Sequence, residues 1–266
     1  MEENNQQSPQ PESIPAITQQ QDISLTDALS GVFTEPGNTF TDIKNSSKKT
    51  YWVIPIIILA IVTSLASFIV LNDEELSSEI KKNQIEAMKE RFDKAVKEGQ
   101  MTREQANEQL ESTQKMFGGN MFIIFGILGG FFSVLLFFFL KALVYFGVFK
   151  IFKGTGTYLN MLNVLGIASV ITSIQILIDS VLAIFTGRLF VNIGPVLLFT
   201  QEQLGKEMFT FIANFDLINI WYLVIASIGL AKVSNVKTST SLVTVFVLWL
   251  IWILLTSFGP LNFFGA

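Results

Sequence analysis

Five long apolar runs constrain this chain more than any other feature of its sequence. The clearest covers residues 211–232, and within residues 217–231 only Asn219 and Ser227 are strongly polar. A run of about 20 residues is long enough to cross the ~30 Å hydrocarbon core of a bilayer as an α-helix. The sequence therefore predicts an all-α, polytopic membrane protein built on a bundle of five transmembrane helices.

The five predicted spans are residues 51–71, 121–149, 158–185, 211–232 and 241–258. Aromatic residues lie near several of their ends. Tyr51 and Trp52 begin the first span, and Trp221 and Tyr222 lie near one end of the fourth. Because amphipathic rings prefer the head-group level of a bilayer, these positions mark where the chain meets the membrane surface.

Composition limits the chemistry that is open to the chain. It contains no Cys and no His, which removes disulfides, thiol nucleophiles, Cys/His metal sites and any Ser-His-Asp triad. The formal net charge is −4, and no basic face indicates a nucleic-acid partner. The remaining polar residues form no catalytic constellation, so we expect a non-enzymatic protein without a catalytic, cofactor or metal site.

The sequence before the first span falls into two parts. Residues 1–22 are rich in Gln, Glu and Pro and predict a disordered tail, without the apolar core of a signal peptide. Residues 23–50 have apolar positions at helical spacing, with Ser24 placed to cap a helix and Pro36 placed to end it. We expect this amphipathic segment on the cytoplasmic side, lying in the membrane interface or packed on the ends of the bundle, and the two arrangements can coexist.

Residues 72–120 differ from the spans because they are dense in Glu, Lys and Gln. Apolar positions within residues 85–96 and 106–117 recur at spacings of three and four, as on one face of a helix. Between them, Thr102 and Gln105 fit a capping box that follows a Gly turn. The pattern predicts an extracytoplasmic helical hairpin, whose helices either pack only on each other or also dock a partner.

Gly126 and Gly130 in the second span have the Gly-x-x-x-Gly spacing that lets another helix approach closely. The motif is frequent by chance, so we expect it to serve packing within the bundle rather than dimerisation. Lys141 lies further along the same span. Its long stem can reach the nearer interface, and we interpret it as a snorkelling side chain rather than a buried functional charge.

Four polar residues form a candidate intramembrane cluster. Gln175 and Asp179 are four residues apart in the third span and so lie on one face of its helix. Asp216 and Asn219 begin the fourth span from the same side of the membrane, at a similar depth. A carboxylate that faces lipid at a helix centre costs about 2.5–3.5 kcal/mol, so we expect Asp179 to face the bundle.

Residues 186–210 connect the third and fourth spans. They include an apolar stretch, residues 189–199, which Gly194 and Pro195 interrupt. This stretch is too short to cross the membrane, and the sequence leaves open whether it is re-entrant or interfacial.

Basic residues set the predicted orientation. Lysines cluster before the first span and in the turns that follow the second and fourth spans. The positive-inside rule places these turns in the cytoplasm. Five spans then put the N-terminus in the cytoplasm and the C-terminus outside.

The order of several short patterns resembles that of the Yip1 domain proteins. The patterns are residues 32–36 followed by Phe40 and Ile43, the aromatic start of the first span at residues 52–55, the Gly-x-Gly-Thr turn at residues 154–157, and residues 215–217, 220–221 and 228–230. The resemblance covers about residues 25–258. It rests on the order of the patterns and on the five-span plan.

The resemblance implies a cytoplasmic N-terminus and a five-helix membrane domain. Eukaryotic members of the family are associated with Rab-type small GTPases and vesicle traffic, but the Asp-Leu-Tyr-Gly-Pro motif of those members is absent here. The large charged hairpin also departs from their compact form. The chain is more similar to the prokaryotic branch, which implies the bacterial cytoplasmic membrane.

Two functional hypotheses fit a membrane protein without an evident catalytic constellation, and a membrane enzyme is a third that we rank last. The first is a non-enzymatic scaffold, or a membrane-organising or trafficking factor, that contacts the lipid bilayer, partner proteins or a second copy of itself. Protein partners would bind the hairpin of residues 72–120 or the segment of residues 23–50. The alternative is a small transporter or channel that uses Asp179, since intramembrane carboxylates often mark ion paths.

The two ends of the chain should lie on opposite sides of the membrane. A tag before Met1 should be shielded from a membrane-impermeant label in intact cells, and a tag after Ala266 should react, because an odd number of spans separates them. Permeabilised cells, in which both tags should react, provide the control. Reaction of both tags in intact cells would contradict the five-span topology.

Overall fold

The computed structural model describes residues 22–117 and 119–259, which form helices and connections without a strand. Eleven α-helices and one 3-10 turn follow one another in these ranges. They are α1 (Leu25–Thr34), α2 (Pro36–Asn45), α3 (Val53–Asn72), α4 (Glu74–Lys97), α5 (Arg103–Phe117), α6 (Asn120–Ile151), α7 (Tyr158–Thr186), α8 (Gln201–Leu204), α9 (Lys206–Ala213), α10 (Leu217–Ser234) and α11 (Thr238–Ser257), with the 3-10 turn Pro195–Leu198 before α8.

Five of these helices, α3, α6, α7, α10 and α11, are long and apolar enough to cross a membrane. They alternate in direction, so the bundle has two end faces. One carries α1, α2 and residues 152–157 and 235–237, and we call it the α1–α2 face. The other carries α4, α5 and residues 187–216, and we call it the hairpin face. This architecture confirms the predicted all-α protein with five spans and a helical hairpin after the first.

Helix α7 lies at the centre of the bundle. Every residue from 161 to 169 is buried, and α7 packs against α3, α6 and α10. A Cβ atom on Gly166 would collide with the backbone of Trp52 at the start of α3. One turn earlier, the Asn163 side chain accepts a hydrogen bond from the Trp52 N–H at 3.3 Å. Glycine and asparagine together therefore fix the position of α7 against α3.

Helix α2 packs against α10 and α7. Phe40 is fully buried, and a Cβ atom on Gly229 of α10 would lie 2.8 Å from its ring. The Lys44 ammonium donates to the carbonyl oxygen of Lys232 at 3.1 Å and to the side chain of Asn235 at 2.5 Å, both at the end of α10. The structure therefore shows the N-terminal segment packed on one end of the bundle, a position that is compatible with the predicted location in the membrane interface.

Local signals divide the N-terminal segment into two helices. The Ser24 hydroxyl caps α1 by accepting a hydrogen bond from the Asp27 N–H at 3.1 Å. Pro36 lies in the first turn of α2, where its missing N–H costs little. Both residues therefore act as predicted from the sequence, one as a cap and the other as a helix boundary.

Asp22 ties the start of the described chain to the residues after α2. Its carboxylate accepts hydrogen bonds from the hydroxyl groups of Ser47 at 2.6 Å and Ser46 at 2.7 Å, and from the Ser47 N–H at 2.7 Å. These bonds, with the Ser47 hydroxyl first, lower the pKa of Asp22 to about 2 because they stabilise its charged form. The rest of the predicted tail, residues 1–21, lies outside the described residues.

The hairpin of α4 and α5 is anchored at its base. A single residue, Asp73, separates α3 from α4, and its carboxylate caps α4 by accepting a hydrogen bond from the Leu76 N–H at 3.0 Å. Leu76 is fully buried in a small apolar cluster with Ala183 of α7 and Val191. The first turn of α4 is therefore part of the bundle, and the remainder of the hairpin projects from it.

Caps and side-chain contacts join the two hairpin helices. Thr102 and Gln105 form the predicted capping box, in which the Gln105 N–H donates to the Thr102 hydroxyl at 3.1 Å and the Thr102 N–H donates to the Gln105 side chain at 2.9 Å. Ala106 is buried on the side of α5 that faces α4. Arg103 forms an ion pair with Asp93 of α4. These contacts confirm a paired helical hairpin.

The fourth span starts later than the sequence predicted. Helix α10 begins at Leu217 rather than at Phe211, because Asp216 caps its N-terminus and the preceding residues form a separate helix, α9. The Phe211 ring lies 5.6 Å from the ring of Phe258 at the end of α11. This aromatic lead-in therefore packs across the hairpin face. The other four spans agree with the predicted bounds to within three residues.

Replacing Gly166 with Ala should destabilise the bundle. The new methyl group would push α7 away from the Trp52 backbone, and overpacking of this kind costs about 1–3 kcal/mol. Gly129→Ala in α6 is the matched control, since no atom lies within 4 Å of a Cβ there. Thermal unfolding in one detergent should give a lower midpoint for Gly166→Ala and an unchanged or higher midpoint for Gly129→Ala. Equal midpoints would refute the close contact.

Candidate functional site

The predicted polar cluster lies towards the hairpin-face ends of α7 and α10. Gln175 and Asp179 lie one turn apart on α7 and so share one face of that helix. Asp179 is partly buried and interacts electrostatically with Asp216, the residue before α10. The structure thus brings three of the four predicted side chains together.

Asp216 also has a structural role. Its Oδ1 accepts a hydrogen bond from the Asn219 N–H at 2.7 Å and so caps α10. A cap of this kind contributes about 0.5–2 kcal/mol to stability. The Asp216 side chain is only 1% exposed, and its Oδ2 has no hydrogen-bond partner among the described residues. One oxygen therefore caps the helix, and the other is buried without a hydrogen-bond donor among the described residues.

Asn219 takes part in this cluster through its backbone. Its side-chain amide donates to the Asn214 carbonyl oxygen at 3.5 Å. The same side chain lines a different cavity, between α6, α10 and α11. The predicted set of four is therefore divided between two places in the bundle.

The connection between α7 and α10 turns back on itself at the hairpin face. Gly187 ends α7 in the left-handed conformation, with φ of 61°. The Leu217 N–H donates to the Ile193 carbonyl oxygen at 3.0 Å, which ties the connection to the start of α10. Residues 189–199 thus lie across the hairpin face with a 3-10 turn and do not form a re-entrant helix.

The connection also brings a polar residue that the sequence did not single out. Asn192 is 8% exposed, and its Nδ2 donates to the Ala213 carbonyl oxygen at 2.5 Å. Its Oδ1 is buried and has no hydrogen-bond partner among the described residues. The same holds for the Oδ1 of Asp179. Buried acceptor oxygens therefore face one region from α7 and from the connection.

A cavity of about 460 Å³ occupies this region. Its polar lining comes from Asp179, Ser180, Asn192, Thr210, Asn214 and Thr256. A buried acceptor without a donor costs about 1–3 kcal/mol. The cavity therefore favours a guest that donates hydrogen bonds or carries positive charge, such as water, a hydronium ion or a small cation.

Gly126 and Gly130 of α6 face α3 in the same chain. A Cβ atom on Gly126 would collide with the Leu71 side chain, and one on Gly130 would lie 3.1 Å from the Ser67 hydroxyl oxygen. Both positions are closer than an ordinary van der Waals contact allows. The two glycines are therefore placed where they permit α6 to pack on α3.

Five antiparallel apolar helices, with a helical segment packed on one end face and a polar cavity near the other, define a polytopic α-helical membrane protein. The Yip1 domain family matches residues 30–259, which is nearly the whole chain. The chain therefore belongs to the Yip1 domain family, as its sequence resemblance predicted. No curated protein and no solved structure matches it.

Proposed function

We propose that this protein is a non-enzymatic scaffold, or membrane-organising factor, of the bacterial cytoplasmic membrane. The anchoring of the hairpin supports this proposal. The one-residue link at Asp73 and the burial of Leu76 hold α4 in a fixed position relative to the bundle. A protein surface at a defined position beside the bilayer is what a scaffold needs to place a partner there.

The surface of the hairpin is suited to recognition. Its exposed residues are mostly charged or amide-bearing, and they include the pairs Lys94–Glu98 and Lys115–Glu111. Exposed ion pairs of this kind contribute only about 0–1 kcal/mol to stability. The hairpin does not depend on these charges for folding, so they are available to a partner of complementary charge.

The charge distribution orients the scaffold. Five lysines lie at the α1–α2 face or in the helix ends that lead to it, namely Lys44, Lys150, Lys153, Lys232 and Lys237. By the positive-inside rule we place this face and the N-terminus in the cytoplasm, and the hairpin and the C-terminus outside. The exposed sides of α1 and α2 then form a second surface, which a cytoplasmic partner or a second copy of the chain could bind.

One observation favours a second candidate function, that of a small transporter or channel. Asp179 lines a cavity whose buried acceptor oxygens, on Asp179 and Asn192, have no donor among the described residues. An intramembrane carboxylate in such a cavity is suited to carry a proton or a small cation. The two functions differ in whether the charge of Asp179 is needed.

Photo-cross-linking should identify a protein neighbour of the hairpin. A photoreactive residue at Gln109, which is exposed on α5, should repeatedly capture the same protein in native membranes. The control position is Leu136, which is 65% exposed on the lipid-facing surface of α6 and should capture none. Reversing the exposed charges at Glu104, Glu108 and Glu111 to Lys should weaken capture several-fold, because a complementary partner would be repelled.

Circular dichroism of the charge-reversed protein should match that of the wild type, since all three positions are exposed. Absence of a recurrent neighbour, or capture that is insensitive to charge reversal in a folded variant, would contradict the scaffold proposal at the hairpin.

Asp179→Asn distinguishes the scaffold from the transporter. Asparagine keeps the shape of the side chain and most of its hydrogen bonding, so under the scaffold proposal folding and hairpin cross-linking should persist. We also expect no proton or cation flux by the wild type in liposomes. Ser180→Ala is the control, because it alters the same cavity without removing a charge. Flux by the wild type and by Ser180→Ala that is lost in Asp179→Asn would establish the transporter instead.

A further inference from the structure

A second cavity, of about 530 Å³, lies between α6, α10 and α11 in the membrane-spanning part of the bundle. Most of its lining is apolar, from Leu140 and Val144 on α6 to Leu248 and Leu255 on α11. Its volume falls within the range of about 300–1,000 Å³ that is typical of small-ligand sites. Neither Asp179 nor Asp216 lines it, and Trp252 is the one lining residue that it shares with the polar cavity described above.

This cavity opens towards the lipid. On its rim, Val144 is 44%, Ile251 48% and Trp252 41% exposed on the outer surface of the bundle. At its base, Tyr145 and Tyr222 are only 5% and 6% exposed. A hydrocarbon chain can therefore enter the cleft between α6 and α11 sideways from the bilayer, with its polar end directed towards the two tyrosines.

Three hydrogen-bond donors line the cavity, and we call them the polar base: the two buried tyrosines, and Lys141, which is exposed on the outer surface of the bundle. The Lys141 ammonium lies 5.3 Å from the centre of the Tyr222 ring, and Tyr145 lines the same cavity. Within the part of the chain that the structure describes, the Lys141 ammonium and the two phenol hydroxyls have no hydrogen-bond or ion-pair partner. Because no Asp or Glu lines the cavity, its charge complement is an anion.

The depth of Lys141 makes this arrangement unusual. It lies about ten residues, or roughly 15 Å, before the end of α6, which is about half of the ~30 Å hydrocarbon core. The sequence predicted that its stem would reach the nearer interface. In the structure its ammonium lies over the ring of Tyr222, in the half of α10 that is nearer the hairpin face. A lone charge at this depth is costly unless an opposite charge neutralises it.

We propose that this cavity binds a long-chain fatty acid. Its carboxylate would accept hydrogen bonds from the Lys141 ammonium and from the hydroxyl groups of Tyr145 and Tyr222. Its chain would occupy the apolar cleft between α6 and α11. The small polar base fits a carboxylate, and the larger apolar remainder fits a single chain.

The depth of the site distinguishes a fatty acid from an anionic phospholipid. Desolvation favours the neutral form of a carboxyl group, so a fatty acid can move into the bilayer uncharged and ionise beside the Lys141 ammonium. A phosphodiester keeps its charge near neutral pH and would have to carry that charge away from the head-group level. The carboxylic acid is therefore the anionic amphiphile that can reach Lys141 at the lower energetic cost.

The test uses the full-length protein in phosphatidylcholine nanodiscs, with a diazirine-bearing palmitate as the probe. Illumination should label peptides from α6 or α11. Oleate should compete for labelling, and neither oleyl alcohol nor phosphatidylglycerol should. Competition by phosphatidylglycerol without competition by oleate would show that the ligand of the cavity is a phospholipid and not a fatty acid. Competition by oleyl alcohol equal to that by oleate would show that the charge is not recognised, and either result would overturn the proposal.

Variants of the polar base test the role of the ammonium. Lys141→Gln should weaken labelling by about tenfold or more, because a hydrogen bond between charged groups is lost. Lys141→Arg should retain most of the labelling, since it keeps the positive charge. The matched control is Lys150→Gln, which removes a lysine near the end of the same helix and should be labelled like the wild type.

A second pair of variants tests the cleft without changing a charge. Val144→Trp should fill the cleft and block labelling. Leu143→Trp should not, because Leu143 is 55% exposed and does not line the cavity. Thermal unfolding establishes that each variant is folded, and the cleft pair still tests the proposal if Lys141→Gln fails to fold. Undiminished labelling in folded Lys141→Gln or folded Val144→Trp would refute the site.

Discussion

Close packing around α7 at the α1–α2 face is the interaction on which the rest of the structure depends. Lipid is as apolar as the helices, so their association relies on van der Waals contact rather than on the hydrophobic effect. Gly166 lets α7 approach Trp52, and Gly229 lets α10 accommodate the Phe40 ring. With these contacts in place, α1, α2, α3, α7 and α10 share one continuous buried core. Towards the hairpin face the burial of α7 becomes sparser, and the polar cavity lies there.

The two cavities have opposite chemical character. The one at Asp179 presents acceptor oxygens, whereas the one at Lys141 presents donors and a positive charge. Their linings share only Trp252, so a cation in one and an anionic amphiphile in the other would not compete for the same space. Neither cavity includes the projecting part of the hairpin. A guest in either cavity would therefore leave the hairpin surface free to bind the partner of a scaffold.

The sequence correctly predicted the features that depend on residues close to one another along the chain. The five spans follow from length and apolarity, and the caps at Ser24 and Thr102 follow from short motifs. It failed where a tertiary contact decides the outcome. Phe211 was predicted to begin the fourth span, but it lies in the separate helix α9, where its ring contacts that of Phe258. Asn192 has no polar neighbour in sequence, and only the return of the chain brings it to Asp179. The contact between the Lys141 ammonium and the Tyr222 ring is likewise one that no sequence pattern predicted.

The bond between Lys44 and the end of α10 has a consequence for biosynthesis. Its two partners are 188 residues apart in the sequence, so the N-terminal segment is synthesised long before the helix on which it packs. Contacts over such a separation form late, because the intervening chain must first be ordered. Until α10 has emerged from the ribosome and inserted, the apolar side of α2 with Phe40 has no complete binding surface. During that interval α2 remains undocked, so its packing on α10 is a late step of assembly that follows the insertion of the first four spans.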